Sequence, residues 1–320
     1  MFDRKILAAI FDVDNWAKDV LINNLNYPAI TVEKDVVYWD ALPQVCIADL
    51  LYNKDSAKYE KYPVVLNIHG GGWIIGNKDN SHGQCLQMAD SGYFVMNINY
   101  GMPPKEFPFF EKHDPKASHG DYRFPTQVEH AYKALEWLKA NAEKYNLDLD
   151  HVVVSGDSAG SHLTSVVCTT ATNPEYRKAL GLPDPAVKIT GGVMFCGLYN
   201  FDNWLGMDIN KVPAFRGMPA ALFDNDKDPK SNPLYKYFNP IPYVTKDFPK
   251  ALLVSGKFDV LTLGQTHQLA EGLKKVGADF EHYEHTGPIS IHDFHLLSFT
   301  PGSHNCMMHV AEFLDEVAKL

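Results

Sequence analysis

A serine flanked by small residues, Gly156-Asp157-Ser158-Ala159-Gly160, stands between the apolar run His151-Val152-Val153-Val154-Ser155 and a helical run from Leu163 to Thr170. That setting predicts a sharp strand-to-helix turn, where the backbone is strained and two chain segments press close, so only small neighbours fit. The free N–H groups and positive dipole end of the following helix then point at the serine oxygen. Upstream, His69-Gly70-Gly71-Gly72-Trp73 ends the apolar run Tyr62 to Ile68. Successive glycines let backbone N–H groups approach a ligand with no Cβ in the way. Donors held in that fashion can bind the negative oxygen of a tetrahedral intermediate. Each motif by itself could be an ordinary glycine-rich turn. In this order, a nucleophile and a set of oxyanion donors, they point to acyl transfer.

The pair, about 90 residues apart, resembles the α/β-hydrolase fold and, more narrowly, the hormone-sensitive-lipase-like carboxylesterases. The resemblance extends over nearly the whole chain from Tyr62 onward. It takes in Phe124-Pro125-x-Gln127-x-Glu129 leading into Ala134-Leu135-x-Trp137-Leu138. It implies the chain order nucleophile, acid, histidine. Ser255-Gly256-Lys257-Phe258-Asp259-Val260-Leu261 is similar to the family's G-x-x-D-x-L and offers Asp259 as the acid, which would fix the imidazole tautomer and stabilise the imidazolium. As an alternative, Asp259 would cap the next helix. Two histidines compete for the base, in Ile291-His292-Asp293-Phe294-His295-Leu296-Leu297. His292 reproduces the family's H-x-F, with Asp where glycine is commoner, and is preferred; His295 is then a structural histidine. The oxyanion donors implied are the N–H groups of Gly71, Gly72 and Ala159.

Departures from the family fall near the expected entrance. Gly101-Met102-Pro103-Pro104-Lys105 replaces the usual Arg-Leu-Ala-Pro-Glu, and an insertion follows before Phe124-Pro125. His130 stands where an aspartate is common. The insertion at 101–122 is proline-stiffened and starts directly after a strand, so Phe107, Phe109 and Phe110 are expected at the pocket mouth, with Trp73 as a further substrate contact.

Positioning such a site takes alternating strands and helices. Near-continuous apolar runs at Tyr62–Ile68, Tyr93–Ile98, His151–Ser155, Ile189–Cys196 and Lys250–Ser255 predict parallel strands covered on both faces. Thr31–Trp39 and Val45–Tyr52 read as an opening hairpin, and Phe280–His285 as a polar edge strand. Thr126-Gln127-Val128-Glu129 reads as a capping box. Behind it Val128, Ala131, Leu135, Leu138, Ala142 and Tyr145 form one helical stripe; Leu269, Leu273, Val276 and Met307, Ala311, Leu314, Val317 form two more. The expected fold class is α/β: a single α/β-hydrolase domain over 1–320, with about eight mostly parallel strands flanked by helices. Residues 1–30 and the proline- and aromatic-rich stretch 198–248 are candidate cap segments.

Composition narrows the partners. The chain has 320 residues, and 29 Lys plus Arg against 39 Asp plus Glu give a net charge of −10, which disfavours nucleic acid and anionic membrane surfaces. Five scattered cysteines without a C-x-x-C read as reduced thiols in a cytoplasmic protein. The C-terminal histidines His282, His285, His292, His295, His304 and His309 match no metal-ligand spacing, so neither metal nor cofactor is expected. The resulting expectation is a serine carboxylesterase acting on short-chain acyl esters through an acyl-enzyme. A feruloyl-type esterase and an arylformamidase-like amide hydrolase are the alternatives, and a non-catalytic binder on the same fold the remote one. The partner is a small-molecule ester, and a homodimer is left open.

Overall fold

Val64, Leu66 and Ile68 point to one face of their strand and Val65 to the other, and all four are buried. A strand apolar on both faces needs a layer on each side. The computed structural model, which describes residues 26–56, 58–104, 118–207, 218–223 and 228–319, supplies both layers. Its strands are β1 (Ile30–Val37), β2 (Ile47–Asn53), β3 (Tyr62–Ile68), β4 (Phe94–Ile98), β5 (Leu147–Asp157), β6 (Gly191–Phe195), β7 (Lys250–Gly256) and β8 (Phe280–His285). They form one eight-stranded sheet in the order β1-β2-β4-β3-β5-β6-β7-β8. β1 and β2 pair antiparallel, as does β2 with β4, and every pair from β4 to β8 is parallel. The opening hairpin and the polar edge strand β8, which is only partly buried along its length, match the sequence reading.

The longer helices are α1 (His82–Asp90), α2 (Thr126–Ala140), α3 (Ala159–Thr172), α4 (Gln265–Val276) and α5 (Pro301–Val317). Leu66, Met96, Val154 and Leu253 share one core with Val128 and Leu135 of α2, Leu163 and Val167 of α3, and Leu269 and Leu273 of α4. Val65, Val95, Val153 and Val254 face the other way, into a core with Cys85 and Met88 of α1 and Val310 and Leu314 of α5. The alternation of side chains along each strand thus assigns the helices to their layers. All chain turns that follow β3, β5, β6, β7 and β8 therefore open at the same, carboxyl-terminal edge, where open α/β sheets bind ligands.

One local expectation is corrected. Thr126 does not cap α2: it is already the first helical residue, the cap position falls on Pro125, and no side-chain cap bond forms. The Pro125 carbonyl instead accepts the N–H groups of Val128 (2.9 Å) and Glu129 (3.2 Å), and Gln127 Nε2 reaches back to the Tyr122 carbonyl at 2.8 Å. The expected boundary falls one residue late, so the Thr and Glu side chains are out of register for the reciprocal pair. The stripe of α5 also turns slightly from the expected one, with Ala311 only half-buried and Val310 and Phe313 facing inward.

Among the described residues of 198–248 lie two short helices, Phe201–Leu205 and Met218–Phe223, followed by tight turns up to Tyr243. The ends of the insertion at 101–122 are tied together, with Met102 N–H on the Ser118 carbonyl (2.9 Å) and Gly120 N–H on that of Met102 (3.0 Å). Residues 1–25 of the first candidate cap segment lie outside the described residues. All five cysteines are free and buried. Among the described residues no helix is long and apolar enough to cross a membrane.

Candidate active site

Ser158 sits where β5 passes into α3, in the left-handed half of backbone space at φ 52°. A non-glycine residue there costs about 1–3 kcal/mol, which the surroundings must hold in place. They do so by close packing. A Cβ on Gly160 would lie 2.0 Å from the Ile68 carbonyl oxygen, and one on Gly156 would lie 2.5 Å from the Gly160 carbonyl carbon. Glycine at both positions is what lets β5 fold back sharply under the serine.

The glycine run leaves β3 in an equally restricted path, with φ at 108° for Gly71, 59° for Gly72 and 65° for Trp73. A Cβ on Gly71 would lie 2.0 Å from the Ile75 carbonyl oxygen. Among the described residues nothing accepts from the N–H groups of Gly71 or Gly72, and Ala159 opens α3, where helix geometry leaves its N–H unpaired. Asp157, an unassigned position in the serine motif, joins the two motifs. Its Oδ2 accepts the Gly70 N–H at 3.1 Å and its Oδ1 the Ser81 hydroxyl at 2.9 Å.

His292 Nε2 lies 2.9 Å from Ser158 Oγ and its Nδ1 2.8 Å from Asp259 Oδ2. The ring therefore bridges the two: with Nδ1–H donated to the carboxylate, Nε2 is free to accept the serine proton. Asp259 itself is fixed by the turn after β7. Its Oδ1 accepts the N–H groups of Leu261 (2.9 Å) and Thr262 (3.0 Å), and Oδ2 accepts the Thr262 hydroxyl at 2.5 Å. Burial would raise the Asp259 pKa, but the His292 ring and these bonds hold it below the ordinary carboxylate value. The alternative of a helix cap is half right. The carboxylate caps its own turn, while α4 begins later, behind Gly264.

A second carboxylate flanks the ring. Asp293 Oδ2 lies 3.2 Å from His292 Nε2. Burial lowers the His292 pKa, but Asp293 and Asp259, with a smaller share from Asp157, outweigh it and bring it up to about 9.

His295 goes elsewhere. Its ring is fully buried, stacks on Phe195 at 4.0 Å, and donates from Nε2 to Gln84 Oε1 at 2.8 Å. From Gln84 a chain of buried amides runs through Asn67 and Asn97 to the Lys78 carbonyl. Burial, and then the nearby His292 charge, push the His295 pKa down to about 3. Of the other C-terminal histidines, His282 bonds to Ser255 at 2.8 Å and His285 stacks on Phe294 at 4.7 Å. Among the described residues two groups of metal-capable atoms do lie within 4.8 Å of one another, Cys196 with Asp293 and His295, and Cys196 with Asp259 and His292. Burial pushes the Cys196 thiol pKa well up, which opposes the thiolate that a metal would need.

Trp73 is placed differently from the expectation. Its ring is 2% exposed and offers no open wall to a substrate. The indole N–H donates to His162 Nδ1 at 3.2 Å, and His162 Nε2 donates to the Phe238 carbonyl at 2.7 Å. Phe238 is the hub of an aromatic cluster, 5.1 Å from Trp73, 4.9 Å from Phe124 and 4.8 Å from Phe201 between ring centres. Trp73 thus clamps the glycine run and α3 to the segment after Leu198. Burial lowers the His162 pKa to about 4, its bond to Phe238 only partly offsetting this, so the ring stays neutral as this bonding requires. Phe107, Phe109 and Phe110 lie outside the described residues. His130 accepts the Gly101 N–H at 2.9 Å and so anchors the start of the insertion.

Sequence reasoning overlooked Asp157 and Thr262 as supports and Asp293 as a neighbour of the His292 ring. Only Thr262 left a legible trace, standing three residues after the acid, where an Asp side chain commonly meets a hydroxyl or N–H.

The sheet order, the strained serine turn and the bridging histidine define an α/β-hydrolase. The BD-FAE family description matches residues 49–273, and the chain belongs to that hormone-sensitive-lipase-like family. It is similar to the probable carboxylic ester hydrolase LipM of Mycobacterium tuberculosis, 26% identical over 260 residues that cover 80% of this chain and 54% of LipM. It is also similar to the versiconal hemiacetal acetate esterase of Dothistroma septosporum, 25% identical over 78% of this chain and 74% of that protein. The chain spans between half and two thirds of the length of the mycobacterial esterases LipM, LipQ and LipC. Among solved structures, Esterase B from Lactobacillus rhamnosis superposes with a TM-score of 0.77 at 23% identity, over 100% of this chain and 97% of that one.

Proposed function

We propose that this chain is a serine carboxylesterase that hydrolyses short-chain acyl esters. The observation that carries the reading is the single line of contacts from Ser158 Oγ through both nitrogens of His292 to Asp259. In this reading Ser158 attacks the ester carbonyl as its proton passes to His292 Nε2. Asp259 holds the ring and the positive charge it acquires, and the N–H groups of Gly71, Gly72 and Ala159 receive the oxyanion. His292 then gives the proton to the departing alcohol. An acyl group remains on Ser158 until a water, deprotonated by His292, releases the acid.

Family membership and the ester-hydrolysing names of the relatives support this chemistry. The short-chain preference rests on the acetate named for the Dothistroma esterase. Residues 198–248, and with them 1–30, serve as the cap of one catalytic domain in this reading, with the 101–122 insertion at the pocket mouth. Five unpaired, buried thiols support a cytoplasmic setting. Mixing the protein with an activated acetyl ester should give a burst of alcohol stoichiometric with enzyme, absent in Ser158→Ala. A panel from acetyl to long acyl and feruloyl esters should then be turned over fastest at its short end. No burst from the wild-type protein would remove the enzyme reading, and preference for feruloyl esters would replace the substrate class.

A further inference from the structure

Resting on that esterase reading, one contact goes beyond it. In a neutral His292 that donates Nδ1–H to Asp259, the Nε2 lone pair points at the Ser158 hydroxyl. An ionised Asp293 at 3.2 Å from that nitrogen repels the lone pair. Protonating Nε2 turns the repulsion into an ion pair, and the new N–H then has two acceptors, Ser158 Oγ and Asp293 Oδ2. We propose that Asp293 is a positioning residue of this site, a second carboxylate that holds the Nε2 side of His292 and sets the pH above which the imidazole can take the Ser158 proton.

The backbone is built for this. Asp293 has φ 52°, a conformation that glycine adopts freely and an aspartate adopts at some cost. Its side chain is turned inward at 19% exposed, between His292 and the end of β6, rather than released to solvent. The groups facing His292 from the surrounding elements are Asp259 after β7, Asp157 and Ser158 at the end of β5, Cys196 at the end of β6, and Asp293 and His295 on its own loop. The ionisable ones that are charged at neutral pH are all acidic. Burial disfavours the imidazolium, and the carboxylates more than compensate, Asp293 foremost among them. Asp293 thus withholds the base from the serine at low pH and steadies the imidazolium that forms as Ser158 attacks.

The test is the pH dependence of kcat/KM, which reports the base of the free enzyme, measured on a soluble acetyl ester for wild type, Asp293→Asn, Asp293→Glu and Ser158→Ala. Wild type should gain activity with a midpoint near 9, well above the ordinary histidine value of 6.5. Asp293→Asn, which tolerates the same backbone angle, should move the midpoint down by about one to three pH units, the effect of removing a charge in contact. Asp293→Glu should keep it high. A wild-type midpoint near 6.5 overturns the proposal without any variant, and so do equal midpoints for wild type and Asp293→Asn, even with kcat or melting temperature changed. Activity in Ser158→Ala would instead overturn the esterase reading, so the two failures are told apart.

Discussion

His292 and His295 stand three residues apart on one loop, yet one has its pKa brought up to about 9 and the other pushed down to about 3. The His295 ring is fully buried and the His292 ring is partly buried, 18% exposed. The difference is what meets them: carboxylates around His292, and a carboxamide and a phenyl ring around His295. Burial sets the direction only where no charge answers it. The loop therefore presents a ring flanked by carboxylates on its outer side and a neutral peg on its inner side, and the peg holds the loop against α1 and β6.

The sharpest way to break this contrast is to remove each ring in turn. His292→Ala should be as damaging as Ser158→Ala, about six decades in kcat for units of this kind, with folding intact by circular dichroism. His295→Ala should keep activity within about tenfold while losing about 3 kcal/mol of stability, because it opens a cavity and strands Gln84 Oε1. Steady-state kinetics beside urea unfolding of the same two variants would decide it, and exchanged phenotypes would make His295 the base.

Stability against pH sharpens the contrast further. The His292 pKa is raised on folding, so its contribution is complete below about 6.5, the unfolded value, and fades as pH rises through about 9. His295, His130 and His162 are lowered by burial, to about 3, 4 and 4, so their contributions are present above about 6.5 and fade as pH falls toward those values. Melting temperature should thus sag on the acid side, and His295→Gln should lessen the sag. The smallest expected change is on the alkaline side, where Asp293→Asn should flatten the loss above pH 7.

How much of this the sequence discloses depends on whether a residue's role is written in its neighbours. Strands β3 to β7 are legible because both of their faces are apolar, and the serine turn and glycine run because glycine is compulsory where a Cβ would strike backbone. His292 is legible through Phe294, its companion in H-x-F. The start of α2 is less so, since Thr126 suits either side of a helix boundary and the geometry of Pro125 decides it. Trp73 misleads: beside the glycine run it looks like a ligand contact, but a partner 89 positions away, His162, draws it into the interior. Asp157 carries no local mark, since its partners come from other parts of the chain, and Asp293 shows only as an aspartate where the related motif commonly has glycine.

Asp157 holds the glycine run with one oxygen and the start of α1 with the other, and it adjoins the nucleophile in the chain. Its consequence lies in motion more than in energy. Any drift of β5 therefore pulls on the glycine run through this one side chain, so that displacement is shared between Ser158 and the glycine run.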